Sequence, residues 1–473
     1  MSDVAITAAA PLLAGTRPPP PKALPLFQQL RVTRTNQFEA LPLVVFEQPL
    51  HHHKSLFGEI LSVSDPDGVR RVLVDNLANY PKGDFENRIF TAMFGEGLLS
   101  AEPAKWRVHR KVMAPAFDPR SVTAYAPAMA EATQIFARHW DALGPDAVID
   151  MAKEMKALTL QIICRTMFSS DADELMTLAG TALGLISTAL DFGLLDVLPI
   201  IGSARVKKKE ASIHADFAAM DGAIFRMIAE REKNLSDAPK DLLTRLIAAK
   251  DPDNGAGLNA QEIRDEVITI FVAGHETTAV AMTWVWYVLS QRPAAAGRVR
   301  AELNAVLAGR TPGADDLPNL TYTRMVLEEV MRLYPPVPGI SVRVAQKADE
   351  ICGTKVKAGT KIFIAPWVLH RHRRLWDDPE TFDPERFSPE NSAGRARFAY
   401  LPFGGGPRIC IGAMLAMTEA SMILATLAQQ FHPRLLAGQD VKLRNRITLS
   451  PLGGMKMTLA RRQVGDSITL PRS

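Results

Sequence analysis

From Trp106 to about Leu307, apolar residues return every third or fourth position, punctuated by Pro and Gly, which predicts a succession of buried and amphipathic helices. The longest carries "VITIFVAGHETTAVAMTWVWYVL". Asn259 and Glu262 form a capping-box pattern before it, and Pro293 marks its end. At ~1.5 Å per residue such a helix reaches about 45 Å, enough to cross a whole domain. The run "IGAMLAMTEASMILATLAQQF", directly after Cys410, is apolar nearly all round and predicts a second buried helix. Alternating segments at "EILSVSD", "SVRVA", "TKIFIA" and "KMTLARR" predict short strands, and "DPDG" opens a helix after the first of them. Pro81 to Ser100, rich in Gly and Phe, reads as a long loop of the functional kind. Phe382 to Gly406 holds too many Pro and Gly for regular structure. With no repeat and no linker-like shift in composition, the expected architecture is mainly α with small β-sheets in a single compact unit, residues 18–473. A flexible segment, 1–17, precedes it, and Pro18 to Pro21 form a polyproline II arm.

The chain has 473 residues, 47% of them hydrophobic and 22% charged, as in ordinary globular proteins. The net charge is only +4, so nothing suggests a nucleic-acid binder. Three cysteines, Cys164, Cys352 and Cys410, lie far apart without a CxxC pair, which points away from disulfides and structural zinc and toward a reducing, cytoplasmic location. The N-terminal apolar run is short, broken by Pro11 and Gly15, and lacks the basic start of a secretory signal. The run Val267 to Leu289 is long enough to span a membrane. Glu276 at its middle would cost ~2.5–3.5 kcal/mol there, so a core helix is the better reading and no membrane anchor is expected.

Four stretches carry candidate chemistry. In "FGGGPRICIG" the glycines allow close backbone approach to something flat, and no Lys-Ser/Thr follows as a phosphate loop requires. Cys410 stands at the start of a helix, where a thiolate is favoured as nucleophile or metal ligand; an inert buried cysteine is the alternative. In "AGHETTA" the zinc-protease pattern fails because Ala279 stands where a second His is needed. Ala273 and Thr277 share a helix face, so the Thr277 hydroxyl can bond back to the Ala273 carbonyl, bend the helix and open a groove beside Gly274. With Glu276 this suggests proton delivery to a buried ligand; a tolerated polar patch is the alternative. Glu329 and Arg332 in "LEEVMRLYPPVP" are placed to pair, with Arg386 in "FDPERF" as further charge. Trp106 and Arg110 in "WRVHRKV" share a helical face that suits an anionic group or is simply an exposed basic helix. The run His51 to His53 reads as a solvated surface loop, with a metal role as the alternative.

In this order, the four stretches resemble the cytochrome P450 family of haem-thiolate monooxygenases. Phe403, Gly406, Arg408, Cys410 and Gly412 match its F-x-x-G-x-R-x-C-x-G signature, "AGHETT" its oxygen-activating motif, "EEVMR" its E-x-x-R motif, and "WRVHR" its W-x-x-x-R pattern. Trp106 and Arg408 stand where many soluble bacterial members carry His, so the core is similar to the microsomal and fatty-acid-hydroxylase branch. The resemblance implies haem b with Cys410 as axial ligand of the iron and Phe403, Gly404 and Ala273 against the ring. Arg408, Trp106, Arg110 and Arg343 would hold the propionates. Thr277 and Glu276 would guide protons, and Glu329, Arg332 and Arg386 would lock the fold. It also implies O2 and a hydrophobic small-molecule substrate, in a pocket including Phe85, Phe90, Phe271, Val272, Val337, Ile340 and Leu449. The chain ends at Ser473, leaving no room for a fused reductase. Electrons are therefore expected from a separate ferredoxin or flavodoxin with its reductase, docking on Arg107, Lys111 and "HRHRR" (His370 to Arg374). The expected reaction is hydroxylation or epoxidation. A peroxygenase or isomerase on the same fold, or a haem-binding sensor without turnover, are the alternatives, and the intact Glu276–Thr277 pair speaks against both.

Overall fold

A computed structural model of the chain describes residues 13–55, 58–169, 218 and 220–461. Near the N-terminal end lie strands β1 (Leu50–Ser55) and β2 (Gly58–Val63). Helices α1 (Asp84–Phe94), α2 (Pro103–Met113) and α3 (Pro119–Ala142) follow. Strand β3 (Ala147–Asp150) runs into α4 (Met151–Phe168). Then come α5 (Ala260–Gln291), α6 (Pro293–Leu307) and α7 (Thr321–Leu333). The short strands β4 (Arg343–Val344) and β5 (Lys361–Phe363) precede α8 (Ala413–Gln430). Strands β6 (Phe431–Leu435), β7 (Leu443–Asn445), β8 (Leu449–Pro451) and β9 (Lys456–Arg461) close the described chain. One sheet has the order β1-β2-β5-β4, another β3-β9-β6, and β7 pairs with β8.

The axis of the fold is α5, an unbroken helix of 32 residues. Its start is set by the anticipated capping box: Asn259 Oδ1 accepts from the Glu262 N–H at 3.0 Å, and Glu262 Oε2 accepts from the Asn259 N–H at 3.0 Å. Helices α4, α6, α7 and α8 pack around it. Trp284, fully buried, stacks on Tyr334 with centroids 4.4 Å apart and donates its indole N–H to the Leu449 carbonyl. Burial of such aromatics contributes the largest side-chain terms of the core, and the indole N–H is satisfied as burial requires. Of the segment anticipated as flexible, residues 1–12 lie outside the described residues. Leu13 and Thr16 are buried, and the Tyr334 hydroxyl donates to the Ala14 carbonyl at 2.7 Å.

The anticipated loop from Pro81 to Ser100 contains α1. Gly83 caps its start and Gly95, at φ +68°, ends it. The triple histidine is not in a loop either: it lies on β1, at the edge of its sheet, with the rings of His51 and His53 stacked 6.1 Å apart.

Candidate functional site

The stretch around Cys410 is folded by its glycines. Gly406 sits at φ +73°, and a Cβ there would lie 2.2 Å from the Leu73 carbonyl oxygen, so no other residue fits without backbone movement. The Cys410 N–H donates to the Phe403 carbonyl at 3.0 Å, closing the loop before Gly412 caps α8. Cys410 is reachable by solvent yet densely surrounded, so its thiol faces an opening within the protein. Burial pushes the thiol up; the Gly412 backbone N–H and the Arg110 guanidinium pull the other way.

Helix α2 lies against this loop. Arg110 donates from Nη1 to the Ile409 carbonyl at 2.9 Å. The Arg408 guanidinium lies 4.7 Å from the Trp106 ring centroid, a cation–π contact, and donates to the Ala101 carbonyl at 3.1 Å. Arg408 is drawn down to about 10 by burial and then by the like charges of Arg343 and Arg107, with Glu102 the offsetting anion. Arg343 is itself buried, on β4.

Halfway along α5, Ala273 is exposed and Val272, Gly274, Glu276 and Thr277 are half-buried, while the helix around them is core. Thr277 Oγ1 donates to the Ala273 carbonyl at 2.7 Å, the back-bond read from the sequence. Beside it Gly274 is half-buried, and a Cβ there would meet only Ile163 of α4, at 3.4 Å, an ordinary packing distance. Glu276 Oε1 is 3.4 Å from Lys156 Nζ and accepts from the Thr448 hydroxyl at 3.2 Å. His275 is buried and driven down to about 4 by desolvation, so it is neutral. On α7, Glu329 and Arg332 are both fully buried and pair at 2.7 and 2.8 Å, with Arg386 at 3.7 Å from Glu329. Arg332 also donates to the carbonyls of His370, Pro379 and Thr381.

Of the anticipated pocket residues, Phe90, Val272 and Ile340 are half-buried and Val337 is 37% exposed. Phe271 and Leu449 are 1% and 0% exposed, sealed in the core, and are withdrawn as lining residues. The side chain of Phe85 lies outside the described residues. The anticipated docking face also shrinks. His370, Arg371 and His372 are buried, with Arg371 stacked on Trp367 and donating to the Leu333 carbonyl. Lys111 is paired with Asp251 and Asp253, while Arg107, Arg373 and Arg374 are exposed.

Comparison with known proteins settles the family. The family described as Cytochrome P450 matches residues 18–455. The chain belongs to the cytochrome P450 family. It is 34% identical to cyclooctatin synthase of Streptomyces melanosporofaciens over 81% of this chain and 83% of that one. To pentalenene oxygenase of Streptomyces avermitilis it is 30% identical, over 85% and 92%. The solved cytochrome P450DA haem domain shares the fold, with a TM-score of 0.81 at 24% identity, covering 94% of this chain and 97% of that one. The protein is thus a cytochrome P450 monooxygenase, a haem-iron enzyme that uses O2, with the mainly helical fold and small sheets of its family. Among the described residues, no helix is long and apolar enough to cross a membrane.

Whether these residues suit haem is testable on the structure itself. Arg408 Nη1 is buried without a hydrogen-bond partner, and Arg343 and Arg107 crowd the same guanidinium. A group bringing two carboxylates relieves both conditions. Cys410 presents its sulfur to an opening beside a backbone that only glycine can form. The donor set and the cradle fit.

Proposed function

We propose that the protein hydroxylates or epoxidises a polycyclic terpenoid, with Cys410 holding the haem iron through its sulfur. The observation that carries this is an accessible Cys410 on the same glycine-shaped loop as Arg408, whose Nη1 is buried without a partner and whose guanidinium is crowded by like charge. When bound, a thiolate-ligated haem supplies the activation of O2. The chain's residues do the rest. Arg408, Trp106, Arg110 and Arg343 orient the propionate edge, while Phe403, Gly404 and Ala273 bound the ring. Thr277 holds a proton at Oγ1, already donated to the Ala273 carbonyl. Glu276 feeds that position from the protein's outer side, where Lys156 and Thr448 steady its carboxylate. Glu329, Arg332 and Arg386 keep the framework rigid.

The terpenoid assignment draws support from the relatives named cyclooctatin synthase and pentalenene oxygenase, and from the apolar, partly exposed side chains of Phe90, Val272, Val337 and Ile340. Electrons reach the site from a separate ferredoxin or flavodoxin in the cytoplasm, docking near the exposed Arg107. Cys410→Ala decides the ligand: the wild-type protein, reduced and exposed to carbon monoxide, is expected to show a strongly red-shifted Soret band that the variant lacks. A band at the ordinary histidine-haem position in the wild type would overturn the assignment. Thr277→Ala is expected to consume O2 without matching product, whereas unchanged coupling would remove Thr277 from the proton path.

A further inference from the structure

A buried polar knot lies on the first turns of α5, upstream of Glu276 and Thr277. Glu266 is completely buried. Its Oε1 is 2.6 Å from Nδ1 of His109, on α2, and its Oε2 accepts from the Leu98 N–H at 3.1 Å. Next to it, Asp265 accepts from the Glu96 N–H at 2.9 Å. The connection between α1 and α2 is therefore strapped to α5 through alternate backbone N–H groups. Contact is close enough to demand glycine: a Cβ on Gly95 would lie 2.2 Å from Asp265, and one on Gly97 2.3 Å from Thr269 Oγ1. At its far end the strap reaches Ala101, whose carbonyl accepts from Arg408.

We propose that Glu266, together with His109, is a positioning clamp that holds the strap 95–101 and helix α2 against α5 and so fixes where Arg408, Trp106 and Arg110 stand. Only the identity of what those side chains hold rests on the haem reading above; the clamp itself does not. The geometry gives Glu266 two tasks at once. One oxygen orders the strap, and the other orders α2 through His109, which lies on the same helix as Trp106 and Arg110.

The knot is also charged. Glu262 faces His109 Nε2 at 3.5 Å. Lys105 reaches Glu96 at 2.7 Å and Glu262 at 3.6 Å. Arg264 pairs with Asp265 and Asp221, and Gln261 donates to Asp265. Burial works against the imidazolium, but its Glu266 and Glu262 partners outweigh it and raise His109 above its ordinary value, while burial also raises the Glu266 carboxyl against the opposing His109 and Leu98 N–H. The sign follows: the doubly protonated ring closes the knot at low pH, and the closure weakens as pH rises through the raised His109 value. A neutral ring then offers a lone pair, not an N–H, to one of its two carboxylate neighbours.

Hydrogen exchange on the haem-loaded protein tests this. Strap amides 95–101, corrected for intrinsic rates, are expected to lose protection several-fold between pH 6 and pH 9 in the wild type. In Glu266→Gln they are expected to exchange about tenfold faster at both pH values, with α8 unchanged. In His109→Gln the pH dependence should shrink to what the raised Glu266 carboxyl alone contributes. Equal wild-type protection at both pH values overturns the proposal, and that comparison stands even if the variants fail to fold. So does a loss in Glu266→Gln spread equally over the strap and α8, which would mark a merely structural residue. The carbon-monoxide spectrum of the same samples reports on the haem reading separately.

Discussion

Two glycines of the Cys410 loop share a backbone conformation and differ in surroundings, which makes them a controlled pair. Gly404 and Gly406 both sit at φ +73°. Alanine at either position bears the left-handed strain, roughly 1–2 kcal/mol for a residue with a Cβ. At Gly404 nothing lies within 4 Å of that Cβ, so the strain is the whole cost. At Gly406 the Cβ would fall 2.2 Å from the Leu73 carbonyl oxygen and 3.1 Å from its carbon. Both are backbone atoms and cannot rotate away. Relieving the overlap requires the loop or the Leu73 segment to move, adding about 1–3 kcal/mol as overpacked sites do. Gly406→Ala is therefore expected to cost ~2–5 kcal/mol and Gly404→Ala ~1–2 kcal/mol. Urea unfolding of both haem-loaded variants measures the difference, and the reduced carbon-monoxide spectrum reports on the ligation proposed for Cys410. Equal midpoints for the two variants would refute the reasoning. So would a normal spectrum and near-wild-type stability in Gly406→Ala.

Further predictions follow from buried charge. Glu329→Gln strips Arg332 of its bidentate partner in a fully buried site and should cost ~3–5 kcal/mol. Glu328→Gln removes only a contact to the half-exposed Arg324 and should stay within about 1 kcal/mol by the same unfolding assay. Burial raises Glu419, on α8, to about 8, with the Thr278 hydroxyl opposing. A raised carboxyl leaves the native state fully favoured only below the unfolded value near 4.3, and stability is lost as pH climbs to about 8. Glu419→Gln should thus raise the melting temperature by an increment that grows from pH 5 to 8 and then levels off. The effect is worth about 3 kcal/mol near neutral pH, and an increment independent of pH would contradict it.

What could be read from the sequence was whatever is local in it. The Phe403–Cys410 loop bond, the Asn259–Glu262 cap and the Thr277 back-bond each join residues a few positions apart, so the sequence can announce them. Helix α1 was equally local and was still missed. Its two glycines looked like loop, yet Gly83 and Gly95 bracket the run "DFENRIFTAMF" as caps, and a glycine on either side of a periodic stretch is the signal that should have counted. The basic string at His370 misled for a different reason. Charge predicts exposure only where nothing inside can accept the donors, and here the backbone can: the Leu333 carbonyl takes Arg371, and the Gln48 carbonyl faces His372 at 3.2 Å.

The site itself marks where reading along the chain ends. Arg408 stacks on Trp106 and Glu266 meets His109 across 157 residues, pairings that no periodicity encodes. In both, the fold takes polar atoms out of water, and that burial turns the side chain into a constraint. Inside a protein an unpaired charge costs several kcal/mol, so each such group dictates what must stand next to it. For Glu266 the required neighbour is the strap and His109, both supplied by the chain. For Arg408 it is an anion; among the described residues Glu102 is the acid that offsets its charge, while Arg343 and Arg107 deepen the need. One demand is met internally and becomes architecture. The other is left open at Arg408 Nη1, and that open demand separates a binding site from the core around it.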